Sequence, residues 1–194
     1  MRTDEELLQA WRARDEAAGR ELFARYFEVL GRFFGSKTSE DVDDLVQQAF
    51  LALLEGQQRI RETSSFRAYL FSIARRTLYA RYGARLRNRE DPGEKTAHDL
   101  LPSPSQHAAA SEETQRLLDA LRRLPLDQQI ALELFYWEDL TADEIADVVE
   151  APVGTIRSRI RRARRQLARL LDDDGLDVEQ VLRESGVQSP PRRD

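Results

Sequence analysis

The sequence predicts an all-α fold. Apolar residues recur every three or four positions in most segments, Thr-x-x-Glu capping boxes open two of them, and only nine glycines occur in 194 residues of which 34% are charged. Thr3 with Glu6 caps a first helix carrying Leu7, Leu8 and Trp11. Leu22, Phe23, Tyr26, Phe27, Leu30, Phe33 and Phe34 predict a second helix with a core-facing aromatic stripe, stopped by Gly35 and Ser36. A third opens near Ser39 with Glu40, Asp41, Asp43 and Asp44 in its first turn. It places Val42, Leu45, Val46, Ala49, Phe50, Leu53 and Leu54 on one face as far as Gly56. A fourth starts near Ser64 or Ser65 and turns Phe66, Tyr69, Leu70, Ile73 and Ala74 inward.

Residues 88 to 112 mix Pro, Ser, Gly and acids without a period, which predicts a flexible linker between two helical domains. His98 and His107 fall there without the neighbours a metal site needs. Beyond it, Leu117, Leu118, Leu121 and Leu124 precede Pro125, and Ile130, Ala131, Leu134 and Phe135 follow it, so two helices meet at the proline. Thr141 with Glu144 caps a short helix bearing Ile145, Val148 and Val149. A break at Glu150, Ala151 and Pro152 leads into one more.

The chain has no cysteine, which excludes disulfides and thiolate chemistry and suits a reducing compartment. The first residues lack the apolar core of a signal peptide and no stretch reaches the length of a membrane span, so a cytoplasmic location is expected. There is no P-loop and no cluster of histidines, and the adjacent Asp43 and Asp44 fit a helix surface; the sequence therefore predicts no enzyme activity, no cofactor and no metal.

Charge is segregated. Residues 67 to 89 and 151 to 171 each hold seven arginines and no acid; removing their +14 from the net −5 leaves −19 on the rest. In the second island Ile156, Ile160, Ala163, Leu167 and Leu170 form an apolar stripe, and arginines fill the remaining circumference. A short capped helix, a tight break and a basic helix have the layout of a helix-turn-helix, whose second helix enters the DNA major groove. Gly154, Thr155, Arg157, Ser158 and Arg159 then lie where base edges and nearby phosphates are reached, Arg157 foremost, with later arginines such as Arg162 neutralising backbone. The alternatives are a solvated charged face, or a basic helix lying on a membrane or on a partner.

The first island interleaves Phe66, Tyr69, Phe71, Tyr79 and Tyr82 with Arg67, Arg75, Arg76, Arg81 and Arg85. Arginines that track phosphates beside aromatics that stack on unpaired bases suit single-stranded nucleic acid, while a share of these aromatics serves the core on either reading. On the acidic third helix Asp41, Asp44 and Gln47 are placed to meet a basic partner or only to be solvated.

Four stretches carry a family resemblance: DVDDLVQQAFLAL, SFRAYLFSIARRTLYARYGAR, LRRLPLDQQIALELFYWEDLTADEIADVV and APVGTIRSRIRRARRQL. Together they resemble the extracytoplasmic-function (ECF, group 4) sigma factors of bacterial RNA polymerase, within the sigma-70 superfamily. The resemblance implies a region 2 domain over residues 1–87, an acidic linker over 88–113, a region 4 domain over 114–171 and a tail over 172–194. It implies core RNA polymerase as a partner, held through Asp41, Asp44, Leu45 and Gln47. It implies promoter DNA as the other, melted at the minus-ten element by region 2 through Arg67, Tyr69, Arg75, Arg76, Tyr79 and Arg81, and read as duplex at the minus-thirty-five element by region 4. An anti-sigma factor is a further partner that it suggests. Arg76 and Ala80 stand where the family pattern has Asn and Asp, and Tyr69 where Trp is common, so the minus-ten sequence is not carried over. Two rivals remain on sequence grounds: a helix-turn-helix DNA-binding regulator that does not act as a sigma subunit, and an interaction module that binds polymerase or another partner without promoter specificity.

Overall fold

The computed structural model describes residues 2–56, 65–87, 96–97, 112–171 and 178–185. Among these the fold is helical, with no strand beyond one isolated bridge between Thr96 and Pro125. In chain order the helices are α1 (Asp4–Arg12), α2 (Glu16–Gly35), α3 (Val42–Gly56), α4 (Phe66–Arg87), α5 (Glu112–Arg122), α6 (Leu126–Tyr136), α7 (Ala142–Val149), α8 (Val153–Leu170) and α9 (Val178–Ser185).

Local chemistry fixes their ends. The Thr3 hydroxyl accepts the Glu6 amide at 3.2 Å, and the Glu6 carboxylate accepts the Thr3 amide at 2.7 Å, completing the capping box of α1. Asp15 caps α2 by accepting the amides of Ala17 and Ala18 at 3.0 and 3.2 Å. α1 crosses α2 so closely that a Cβ on Gly19 would stand 2.7 Å from the Trp11 indole, so this position admits only glycine without a shift of the ring. Contrary to the sequence expectation, Glu40 and Asp41 precede α3. Asp41 takes φ 58, a left-handed value that breaks the helical path before Val42.

α1 to α4 form a bundle, and α6 to α8 with α9 form a second group of packed helices. The two are not separate cores. Their buried apolar residues, from Leu7 to Leu182, make one contiguous cluster, and α4 packs as fully against α7 as against α3. Within the segment read as linker, Ala97 is completely buried and Thr96 bridges to Pro125, so these two residues are packed; the two histidines lie outside the described residues. Part of the tail is ordered structure as well. α9 buries Val178 and Leu182, and the Trp137 indole N–H donates to the Leu182 carbonyl at 2.9 Å.

Two residues assigned to the core are on the surface: Phe27 is 52% exposed and Leu54 39% exposed. α3 carries more apolar positions than its packing against α2 and α4 can cover.

Candidate nucleic-acid interface

α7 and α8 build the helix-turn-helix. Thr141 and Glu144 form the second capping box, Thr141 accepting the Glu144 amide at 3.2 Å and Glu144 accepting the Thr141 amide at 2.8 Å. α7 ends at Glu150 in the left-handed conformation (φ 56, ψ 47), and the Ala151 amide returns to the Ala146 carbonyl at 3.1 Å. Ile145, Val148 and Val149 from α7 are buried, as are Ile156 and Ile160 from α8, and these close the pair. α8 begins without a side-chain cap, at Pro152, whose carbonyl accepts the Thr155 amide at 2.8 Å.

On α8, Gly154, Arg157 and Arg162 are exposed, and the space a Cβ would occupy at Gly154 is empty to 4 Å, which leaves the first turn open to a close-approaching backbone. Thr155 and Ser158 are half-buried, and the Ser158 hydroxyl donates to the Thr155 carbonyl at 2.8 Å. Arg161, Arg165 and Arg169 extend the exposed row. Two arginines are tied back: Arg159 pairs with Asp127 at 3.6 Å and Arg164 with Glu179 of α9 at 2.6 Å.

The six candidates in the first island do not share one surface. Arg67 donates to the Glu138 carbonyl and to its carboxylate at 3.3 Å. Arg75 reaches Asp127 at 3.4 Å while its guanidinium lies 4.7 Å from the Tyr79 ring centre, and the Tyr79 hydroxyl donates to the same Asp127 oxygen at 2.8 Å. Burial and then the Asp127 charge raise the Tyr79 phenol well above its ordinary pKa, so it remains a proton donor. Tyr69 and Arg76 face elsewhere. The Tyr69 hydroxyl donates to the Gly56 carbonyl at 3.1 Å, and Arg76, exposed, bonds the Ser72 carbonyl at 3.2 Å. Both line a recess of about 270 Å³ with Ala52, Glu55, Gly56, Ile73 and Thr77. Arg81 pairs with Asp41 at 2.5 Å and lies 4.0 Å from Asp44, which joins a candidate DNA cation to two candidate polymerase acids.

On α3, Asp44 and Gln47 are exposed, but Leu45 is completely buried and can only support that face from beneath. The exposed apolar residue is Leu51, at 59%; with Gln47 and Leu54 it follows the i, i+4, i+7 spacing of one helix side. The sequence reading missed this stripe because apolar periodicity alone does not tell a core face from a docking face.

A polar cluster joins the two halves of the molecule. Lys37, completely buried, donates to Glu133, to the Phe33 carbonyl at 2.7 Å and to the Ser36 hydroxyl at 3.1 Å. Arg122 donates to the Lys37 carbonyl at 2.6 Å, and Gln129 to the Glu133 carboxylate at 2.8 Å. Burial pushes the Lys37 ammonium below its ordinary range, with Glu133 opposing that shift. Among the described residues there is no group of acids or histidines able to hold a metal, and no helix long and apolar enough to cross a membrane.

These features define a helical protein built on a helix-turn-helix and a second basic helix. The comparisons narrow the class. Residues 20–88 match the model of Sigma-70 region 2 and residues 114–167 that of Sigma-70, region 4. The ECF RNA polymerase sigma factor EcfG of Rhodopseudomonas palustris is 35% identical over 73% of this chain and 77% of its own length. The ECF RNA polymerase sigma factor SigM of Mycobacterium tuberculosis is 32% identical over 88% and 85%. Among solved structures, CnrH in complex with the cytosolic domain of CnrY superposes with a TM-score of 0.66 at 26% identity, over 89% of this chain and 99% of that one. The sigma factor RpoE of Bartonella quintana, in complex with the anti-sigma factor NepR, gives 0.63 at 27% identity, over 80% and 97%. The chain belongs to the ECF family of RNA polymerase sigma factors. It is a sigma subunit that directs core RNA polymerase to promoters, and its partners are that polymerase and promoter DNA.

Proposed function

We propose that the work is divided by residue as follows. Residues 1–87 act as region 2, 114–171 as region 4, with 88–113 between them and 172–194 as a tail. Region 4 reads duplex minus-thirty-five DNA through the first turns of α8, with Arg157 at a base edge, Gly154, Thr155, Ser158 and Arg159 around it, and Arg162 on backbone. Region 2 captures the melted minus-ten strand through Tyr69 and Arg76 beside their recess, and through Arg67, Arg75, Tyr79 and Arg81 once these leave their internal partners. Asp41, Asp44 and Gln47 meet the polymerase, and Leu51 and Leu54 add the apolar area that such a contact buries. The observation that carries this reading is the exposed arginine row of α8 behind a closed helix-turn-helix turn.

Two expectations complete it. The protein works in the cytoplasm and has no catalytic activity of its own; the phosphoryl chemistry belongs to polymerase. An anti-sigma factor holds it when it is idle, a reading supported by the complex of the sigma factor RpoE with NepR.

The test is transcription in a purified system: core RNA polymerase with and without the protein on fragmented genomic DNA, mapping 5′ ends. Discrete new starts sharing two upstream elements are expected. Duplex binding without new starts would turn the reading over to a regulator that acts outside polymerase.

A further inference from the structure

Asp127 sits in the first turn of α6, yet all three cations and donors around it come from other helices: Tyr79 at 2.8 Å and Arg75 at 3.4 Å from α4, and Arg159 at 3.6 Å from α8. A first-turn acid needs none of them to complement the helix dipole. Its side chain is only partly covered, so the site is reachable from solvent. We propose that Asp127 is an internal stand-in for DNA phosphate, which draws Arg75 and Tyr79 of α4 and Arg159 of α8 onto one carboxylate and so occupies them in the polymerase-free chain.

The inference rests on the roles proposed above for Arg75, Tyr79 and Arg159. In the closed form these residues meet at one carboxylate, whereas elements named minus-ten and minus-thirty-five lie about 25 base pairs apart, roughly 85 Å of helix axis. Both elements cannot be held until Asp127 lets go. The closure is also built to be released. The Nε atoms of Arg67 and Arg75 are buried without a hydrogen-bond partner, an unfavourable arrangement that phosphate oxygens would relieve. Arg67 is spent on Glu138, the same acid that faces Arg32 at 3.8 Å, so the acids of region 4 engage region 2 at two points besides the buried Lys37. A ligand opens such a form only by binding the open state better, which DNA does because it offers these cations many phosphates where the chain offers two carboxylates, Asp127 and Glu138.

The test measures binding of the full chain, without polymerase, to a fluorescein-labelled mixed-sequence duplex and to a labelled oligothymidine at fixed salt. Asp127→Asn is expected to bind both probes on the order of tenfold more tightly than wild type. Asp147→Asn, which removes an exposed acid of α7 and so makes the same change in net charge, is expected to gain no more than about twofold. Tyr79→Phe keeps charge, packing and a stacking face while losing the hydroxyl; it should strengthen oligothymidine binding by about twofold to threefold. Equal gains for Asp127→Asn and Asp147→Asn would overturn the proposal, because net charge alone would then account for them. Should Asp127→Asn misfold, Tyr79→Phe decides, and an unchanged affinity overturns the proposal. No promoter or polymerase enters this assay, so loss of specific initiation would strike the promoter reading and leave this result standing.

Discussion

α4 and α8 begin from the same sequence signal, an acid-free run of seven arginines, and end in opposite conditions. α8 has α6 and α7 behind it and water in front, so Arg157, Arg161, Arg162, Arg165 and Arg169 stay on the surface. α4 lies between α3 and α7, and its Arg67 and Arg75 are taken up by Glu138 and Asp127. A basic run thus reports the capacity to bind a polyanion, while the packing around it decides whether that capacity is available in the free protein.

The strongest way to break the comparison is to remove the polar cluster that clasps the two halves. Glu133→Leu leaves the buried Lys37 ammonium unpaired and should cost about 3–5 kcal/mol in a chemical melt, whereas Lys37→Met with Glu133→Leu should recover most of the loss. If the single change were as mild as the double, the pair would not be buried as described.

Next in size is Arg157→Ala, which should lower promoter-specific initiation by an amount worth about 1–3 kcal/mol while polymerase binding survives. Normal initiation by this variant would remove α8 from base reading. A smaller effect sharpens the contrast within α3. Leu51→Ser should weaken polymerase binding by about 1 kcal/mol without moving the melt, while Leu45→Ala should destabilise the fold by about 2–5 kcal/mol.

The smallest effect is a titration. The Tyr79 phenol is raised, so its folded pKa exceeds the unfolded value near 10. Its contribution to stability is present below that value and is lost as pH climbs through the folded one. In an ultraviolet titration Tyr79→Phe should therefore remove absorbance change from the late, alkaline end of the curve; removal from the early part would show Tyr79 to be free of Asp127.

Much of the fold could be read because its signals are local. Capping boxes at Thr3 and Thr141, the break at Pro152 and the stripe from Ile156 to Leu167 all lie within one or two turns. Arg157 and Arg162 were legible for the same reason, since a residue opposite a strong apolar stripe is exposed. The partners of Arg67, Arg75 and Tyr79 were not, because their acids lie 71, 52 and 48 residues away and no periodicity links them. Phe27, Leu51 and Leu54 show the other limit: hydrophobic spacing finds a helix face without saying what covers it.

In the free chain the two reading helices are tied to one carboxylate, Asp127, and on polymerase they separate. The chain has no cysteine, so Glu28→Cys on α2 with Arg169→Cys on α8, both exposed positions, can carry one pair of spin labels. A single narrow distance distribution is expected for the free protein, replaced by one longer by tens of ångströms when core polymerase and promoter are added. A distribution that stays unchanged on polymerase, or that is already broad and long in the free chain, would contradict it.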